Sequence, residues 1–514
     1  MIPVHIMRSI RIWLLLLCAV VPAAQAQTGT SAASGNPPPA RSSASQLPAM
    51  GDASELGASA ERRLGDRIAR EIYRDPDYID DPVLAEYVDG IWQRLLAAAR
   101  KRGEISSEID QRFAWEIMMG RDRSVNAFAL PGGYMGLHLG LLAVVASRDE
   151  LASVMAHELS HVTQRHISRL TSKQSAQTPW LIGAMILGAL AASKRPDAAN
   201  ALIAGGQAVA LQNQLNFSRD MEREADRVGF GVMSDAGFAP QGFASMFEKL
   251  QAASRLNDNG AFPYLRSHPL TTERIADVRG RLPLAAGAPV APLQMDHAML
   301  SARARVLSNP AIDALRQTVA ASADPTLANQ PPAAQAAIVY AATLASAQMR
   351  DFDSATRLMA RLTSLAVDDL PARRLATLLT IEVALLSGQP APQIKPAGRA
   401  ELLLMSQLWL RDGRAAQAAE PLQAWVALNP RDAGAWQMLG RISAAQGQTL
   451  RSIRAQAEAQ VAWYDYAAAM DRFKAAQGIA RNGAGGSVDH IEASIIDTRA
   501  RQLQSLLREQ ALER

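Results

Sequence analysis

The stretch His157-Glu158-Leu159-Ser160-His161 places two histidines four residues apart, with a glutamate directly after the first. On a helix the 3.6-residue period puts both imidazoles on one face, one turn apart, where they can grip a single metal ion. Glu158 then stands about 100° round the helix, within reach of a water that the metal polarises, and can accept its proton without being a ligand. This is the H-E-x-x-H zinc-peptidase pattern. In a chain with 8 histidines among 514 residues, it should arise by chance on the order of one time in a hundred.

A tetrahedral catalytic zinc takes three protein ligands and keeps one position for water. The metzincin extension would need Gly at 164 and His at 167, but Gln164 and Ile167 stand there, and His166 is one place out of register. The other source of a third ligand is a glutamate on a second helix, and the run Phe217 to Asp226 offers one. Glu222 and Asp226 are four apart and share a face, whereas Glu224 points elsewhere. In this reading Glu222 is the third ligand, and Asp226 accepts a hydrogen bond from a ligand imidazole and orients it. A solvated helix face pairing with Arg219, Arg223 and Arg227 fits the same letters.

The elements that must position these groups are legible nearby. Ser147 with Glu150 three residues on forms a capping box, and no Gly or Pro interrupts the chain from there to His166, which predicts one helix across that span. Leu151, Val154, Met155, Leu159 and Val162 recur at helical spacing, so most of its circumference should be buried. Upstream, Val125 to Leu130, a Pro131-Gly132-Gly133 turn and Tyr134 to Leu142 predict a strand, a tight turn and a second apolar segment. The strand edge at Asn126, Ala127, Phe128 and Ala129 could bind substrate by pairing with an extended peptide, a plain structural hairpin being the alternative. His138, inside this hairpin region, reads as structural rather than as a ligand.

Taken together, these motifs resemble metallopeptidase family forty-eight, the gluzincins that include the CAAX prenyl proteases, HtpX and Oma1. The resemblance rests on His157-Glu158-x-x-His161, on Asn126 to Gly133, on Glu222 to Gly229 (E-R-E-A-D-R-V-G), and on His268-Pro269 followed by Arg274. It covers roughly residues 60–282. It implies a mainly α fold: a helical zincin metalloprotease domain with a small β-hairpin or sheet over 55–288, binding one Zn2+ through His157, His161 and Glu222. Glu158 would be the catalytic base. His268 would either stabilise the oxyanion or reach the zinc as a reversible latch, and Arg274 would orient His268 or bind substrate carbonyls.

Outside that domain, Arg8 and Arg11 precede an apolar run, Ile12 to Val21, and Ala24-Gln25-Ala26 is an A-x-A-like cleavage site, which predicts a secretory signal peptide over 1–26. The only cysteine, Cys18, would leave with it, so the mature protein could form no disulfide. Residues 27–54, rich in Ser, Pro, Ala and Gly, read as a flexible linker. The formal charge of +4 falls to about +2 without Arg8 and Arg11, too little to argue for nucleic acid. Trp180 to Ala192 is apolar but too short for an ordinary membrane span, and reads as a core helix, a lid, or a segment making peripheral membrane contact.

From 289 to 325 the chain reads as a connecting segment, and 326–514 as an α-solenoid of tetratricopeptide-like repeats. Trp436-x-x-Leu439-Gly440 follows Asn429-Pro430, and Pro396 lies one 34-residue repeat before Pro430. Tyr340, Leu344, Phe352 and Ala355 suggest a degenerate earlier repeat. Ile491, Ile495, Leu503 and Leu507 would form the apolar stripe of a terminal helix.

An exported zinc peptidase joined to such repeats resembles the branch of the family that attends outer-membrane barrel assembly. That resemblance implies periplasmic quality control at the inner face of the outer membrane. Its partners would be misfolded or stalled outer-membrane proteins and, through the repeats, the barrel assembly machinery. A chaperone or scaffold with a latched or silent zinc site is the alternative.

Overall fold

The computed structural model describes residues 56–172, 218–255, 262–282, 293–482 and 489–512, all within the compact unit Asp52–Arg514. The expectations for the signal peptide, the linker up to residue 54 and the apolar stretch 180–192 lie outside the described residues. The protein is mainly α. Helices α1 (Ala58–Arg74), α2 (Pro82–Lys101) and α3 (Ser107–Arg112) lead into strands β1 (Glu116–Gly120), β2 (Ala127–Leu130) and β3 (Tyr134–His138). Helices α4 (Leu139–Val144), α5 (Arg148–Thr163) and α6 (His166–Ser172) follow, then α7 (Arg219–Asp235), α8 (Gln241–Arg255), α9 (Tyr264–Ser267) and α10 (Thr272–Arg281).

The sheet has the order β1-β3-β2, with β1 parallel and β2 antiparallel to β3. The expected hairpin is therefore present, with Gly132 and Gly133 both at positive φ in its turn. The second apolar segment, however, is a strand only to His138 and then turns into α4. β2 is an outer strand of the sheet, as the edge reading requires.

Helix α5 runs through the middle of this domain against α2, α7, α8 and β2. Every residue from Glu150 to Thr163 is buried, as expected of a helix covered on all sides. Leu151, Met155 and Leu159 are fully buried, each contributing about 1.5–3 kcal/mol through lost apolar hydration. Ser147 caps the helix by accepting from the Glu150 N–H at 3.1 Å. The return bond of the capping box is displaced by one residue, because Glu150 Oε2 accepts from Ala146 N–H. The expected helix to His166 stops early: Thr163 is its last residue, Arg165 takes the left-handed region at φ 54°, and α6 begins at His166. The Arg165 guanidinium binds Glu61 Oε2 at 2.8 Å, which anchors the break to α1.

The remaining chain is helical from α11 (Met295–Ser308) through α12 (Ile312–Ala321), α13 (Pro332–Gln348), α14 (Phe352–Leu365), α15 (Leu370–Ser387), α16 (Arg399–Arg411) and α17 (Ala416–Leu428) to α18 (Ala433–Ala445), α19 (Thr449–Ala462), α20 (Tyr466–Asn482) and α21 (His490–Leu512). Helices α16 and α18 begin 34 residues apart, and consecutive helices pack on one another along this helical-repeat region. The segment 289–325 contains α11, a buried helix packed between α4 and α13. The terminal stripe is corrected: Ile491 is 77% and Ile495 38% exposed, and the buried face is Ile496, Ala500 and Leu503, with Leu507 packed beside it. The two isoleucines fall on the outer face because Ile496, one residue later, points at Phe473 and its neighbours in that core.

Three arginines, one on α11 and two in the helical-repeat region, each sit between one carboxylate of residues 80–86 and one from the repeats. Arg303 grips Asp81 at 2.6 Å and Glu382 at 2.8 Å, Arg374 grips Glu86 and Glu401, both at 2.5 Å, and Arg399 grips Asp80 and Asp432, both at 2.7 Å. Farther along, Tyr464 donates to Glu116 of β1 and its ring meets Tyr134 of β3 edge-on. The repeats thus brace both the start of α2 and the sheet. Among the described residues, no helix is long and apolar enough to cross a membrane.

Candidate metal centre

Helix α7 starts at Ser218, whose hydroxyl accepts from the Met221 N–H. From there Glu222, Asp226 and Gly229 fall on one face, at i, i+4 and i+7. Gly229 lets this face close on α5: a Cβ there would lie 3.0 Å from the Ala156 carbonyl oxygen and 3.1 Å from the His157 nitrogen. The contact brings the α7 carboxylates onto the two histidines of α5.

His157 Nε2 and His161 Nε2 lie 3.0 Å apart. Glu222 offers Oε2 at 3.4 Å from the first and Oε1 at 3.4 Å from the second. His268, just beyond α9, places Nδ1 3.3 Å from His157 Nε2 and 3.0 Å from Glu222 Oε1. One ligand-type atom from each of His157, His161, Glu222 and His268 fits within a 4.8 Å span, and all four side chains are buried. Zinc bonds of about 2.0–2.1 Å in a tetrahedron set neighbouring ligand atoms about 3.3–3.4 Å apart, close to the spacings found. A single zinc-sized ion therefore fits this donor set. Two imidazole nitrogens and a carboxylate packed this closely also need a cation or proton between them.

The surroundings hold each ligand from behind. His157 Nδ1 lies 2.9 Å from Asp226 Oδ1. Asp226 in turn accepts Arg274 Nε at 2.7 Å and Nη2 at 2.8 Å. Arg274 Nη1 donates to the Pro269 carbonyl at 2.9 Å and lies 2.8 Å from Glu222 Oε2. Burial alone would lift the Asp226 carboxyl pKa, but the hydrogen bonds and charges of Arg274 and His157 together outweigh it and hold that pKa below the usual range. For His157, burial pulls the pKa down, while hydrogen bonds to Asp226 and Glu222 outweigh it and raise the imidazole to about 9. His161, under burial with positive neighbours, is lowered well below its usual value. Glu158 is pushed up, mainly by burial. Its Oε2 accepts the Ala129 N–H of β2 at 2.9 Å, and Oε1 lies 3.4 Å from His268 Nε2.

The structure therefore gathers His157, Glu158, His161, Glu222, Asp226, His268 and Arg274 at one point, with Ala129 of the edge strand touching it. Asn126 pairs its carbonyl with the His138 N–H of β3, and Phe128 stands opposite Gly136, so Ala127 and Ala129 direct their main-chain groups away from β3. His138 is not part of the donor cluster: its Nδ1 meets Ser124 Oγ at 2.9 Å and its ring lies edge-on to Phe128. Two contributors were not read from the sequence. Tyr264 stacks its ring on His268 at 4.6 Å. His166, fully buried, meets His161 Nδ1 at 2.8 Å and Glu224 Oε2 at 3.0 Å. The signal for His166 was its fifth place after His161, hidden because an unbroken helix would carry it to another face.

A buried two-histidine, one-glutamate cluster shared between a pair of packed helices, with a second glutamate beside it, is the donor arrangement of a gluzincin-type zinc site. Residues 88–282 match the family model described as Peptidase family M48. All seven gathered side chains lie within the match.

The chain is 35% identical over 322 residues to a Vibrio cholerae protein named as a candidate beta-barrel assembly-enhancing protease, covering 62% of this chain and 63% of that one. It is 33% identical over 241 residues to the Escherichia coli K12 beta-barrel assembly-enhancing protease, covering 46% and 47%. With the Yersinia pestis protein of the same name it shares 27% identity over 425 residues, covering 80% and 84%. The matches to the first two relatives thus span between about half and two-thirds of their lengths.

Proposed function

We propose that this chain is a zinc-dependent endopeptidase of the periplasm that hydrolyses misfolded or stalled outer-membrane proteins and attends their assembly. The observation that carries the reading is the contact between Glu158 and the edge strand: the base beside the metal ligands is hydrogen-bonded to the strand on which a peptide would lie. His157, His161 and Glu222 would hold the zinc, which supplies a Lewis acid that acidifies water and polarises the scissile carbonyl. Glu158 takes the water proton and passes it to the leaving amine. Ala127 and the Ala129 carbonyl would receive an extended substrate through main-chain hydrogen bonds, which recognises backbone rather than sequence and suits unfolded clients.

His268 fits the latch better than the oxyanion role, since its Nδ1 stands at a fourth ligand corner beside Glu222 and His157. Arg274 fixes this arrangement by binding Asp226, Glu222 and the carbonyl of Pro269 together. The relatives' names support barrel assembly as the setting, and the helical-repeat region supplies the surface for clients or for the assembly machinery.

The test is incubation of a denatured outer-membrane barrel protein with the purified chain and with Glu158→Gln, zinc content measured in both. Cleavage by the wild type alone at equal zinc supports the reading. If neither cleaves, His268→Ala decides: regained cleavage supports a latched peptidase, and continued silence supports the chaperone or scaffold reading.

A further inference from the structure

Resting on the zinc reading above, we propose that His166 and Glu224 form a relay that positions the metal ligand His161 from behind. The two metal-binding histidines of α5 are supported in different ways. His157 has a carboxylate, Asp226, against its Nδ1. His161 has a second imidazole, with His166 Nδ1 2.8 Å from His161 Nδ1.

Hydrogen-bond chemistry fixes the direction of this contact. A histidine that ligates through Nε2 is neutral and carries its proton on Nδ1, so His161 must donate. His166 Nδ1 must then accept, which puts the His166 proton on Nε2. That nitrogen faces Glu224 Oε2 at 3.0 Å, and Arg169 Nη1 donates to the same oxygen at 2.8 Å. The result is a one-way chain, His161 to His166 to Glu224, closed by a cation. It also gives a task to Glu224, which as a ligand points the wrong way.

The backbone is built to hold the relay. His166 is fully buried, and it reaches His161 only because α5 stops at Thr163 and Arg165 adopts φ 54° before the chain re-enters a helix. A non-glycine residue in that region carries a cost on the order of 1 kcal/mol. Arg165 is kept there by bonds to Glu61 and Ser168. Had α5 continued, residue 166 would lie about 140° round from residue 161, facing away from it.

The experiment is zinc affinity, measured by chelator competition on the purified full chain, with melting of the zinc-free proteins alongside. His166→Leu fills the space but cannot accept, and is expected to weaken zinc binding about 10- to 100-fold. His166→Asn can accept from His161 through its amide oxygen, and is expected to recover most of that loss. Glu224→Ala, at a part-exposed position that folding should tolerate, is expected to lose about threefold or more.

His166→Leu binding within about twofold of wild type would overturn the proposal, as would equal losses in the Leu and Asn variants, which would mean a purely steric role. If His166→Leu does not fold, Glu224→Ala binding zinc like the wild type overturns the relay. Failure of the wild type itself to bind zinc would instead overturn the metal reading on which the relay rests.

Discussion

Arg274 is the side chain whose loss should be felt most widely at the centre, and its cost can be worked from its contacts. It is 3% exposed and makes two charge-assisted hydrogen bonds to Asp226 and one to the Pro269 carbonyl, with Glu222 Oε2 2.8 Å away. Burial alone would lower its pKa, but the hydrogen bonds and charge of Asp226 raise it, so the guanidinium stays charged. Arg274→Met keeps the stem and removes the charge, leaving two buried carboxylates without their shared cation. Removing one partner of a buried pair costs about 3–5 kcal/mol.

Arg274→Lys keeps a charge but cannot bind Asp226 with two parallel bonds, and should cost roughly half as much. Adding Asp226→Asn to Arg274→Met removes one of the stranded charges, so the double variant should be less destabilised than the sum of the singles, with a coupling of about 1–3 kcal/mol. Denaturant unfolding followed by circular dichroism, with all proteins stripped of metal by chelator, measures these differences. A loss under about 1 kcal/mol for Arg274→Met, or strict additivity in the double variant, would refute the argument that Arg274 neutralises this pair of carboxylates.

Further outcomes follow from the same physics. Gly229→Ala sets a methyl against the backbone of Ala156 and His157, and should cost about 1–3 kcal/mol and weaken zinc binding as Glu222 is pushed from His157; calorimetry and chelator competition check both. Arg303→Met leaves buried Asp81 and half-buried Glu382 without their cation, and should lower stability by about 3 kcal/mol and expose the seam between α2 and the repeats to limited proteolysis.

Asp432 titrates in the opposite sense to its burial: desolvation would raise its pKa, but Arg399 outweighs it and holds the pKa below the usual range. Its stabilising contribution is therefore complete above the unfolded-state value of about 3.9 and disappears as the pH falls through the lower folded value. The stability gap between wild type and Asp432→Asn should accordingly shrink in acid melts below about pH 4, and a gap that stays constant down to strong acid would count against the Arg399 pairing.

The metal chemistry was legible in the chain because its parts are local. His157 and His161 need only a helix to share a face, and Glu222 with Asp226 needs only a second one; both helices carry their own start signals at Ser147 and Ser218. The hairpin at Pro131-Gly132-Gly133 is local for the same reason, since its turn demands positive φ. The choice between a ligand helix and a solvated acidic face was not local. Glu222 is 1% exposed and Glu224 part-exposed only because Gly229 lets α7 settle on α5.

The place of His268 was equally a tertiary matter, decided by Tyr264 stacking and by Arg274 holding the Pro269 carbonyl. His166 was hidden by a single dihedral: with no glycine to announce it, Arg165 turns left-handed because Glu61, more than a hundred residues earlier, binds its guanidinium. The arginines joining the repeats to residues 80–86 likewise look like ordinary surface charges until folding removes water from them. The sequence alone thus determined which side chains could hold a metal, since periodicity places residues within one element. Which of them converge, and what holds them there, depended on contacts between elements, whose energies come from burial and pairing across large sequence distances.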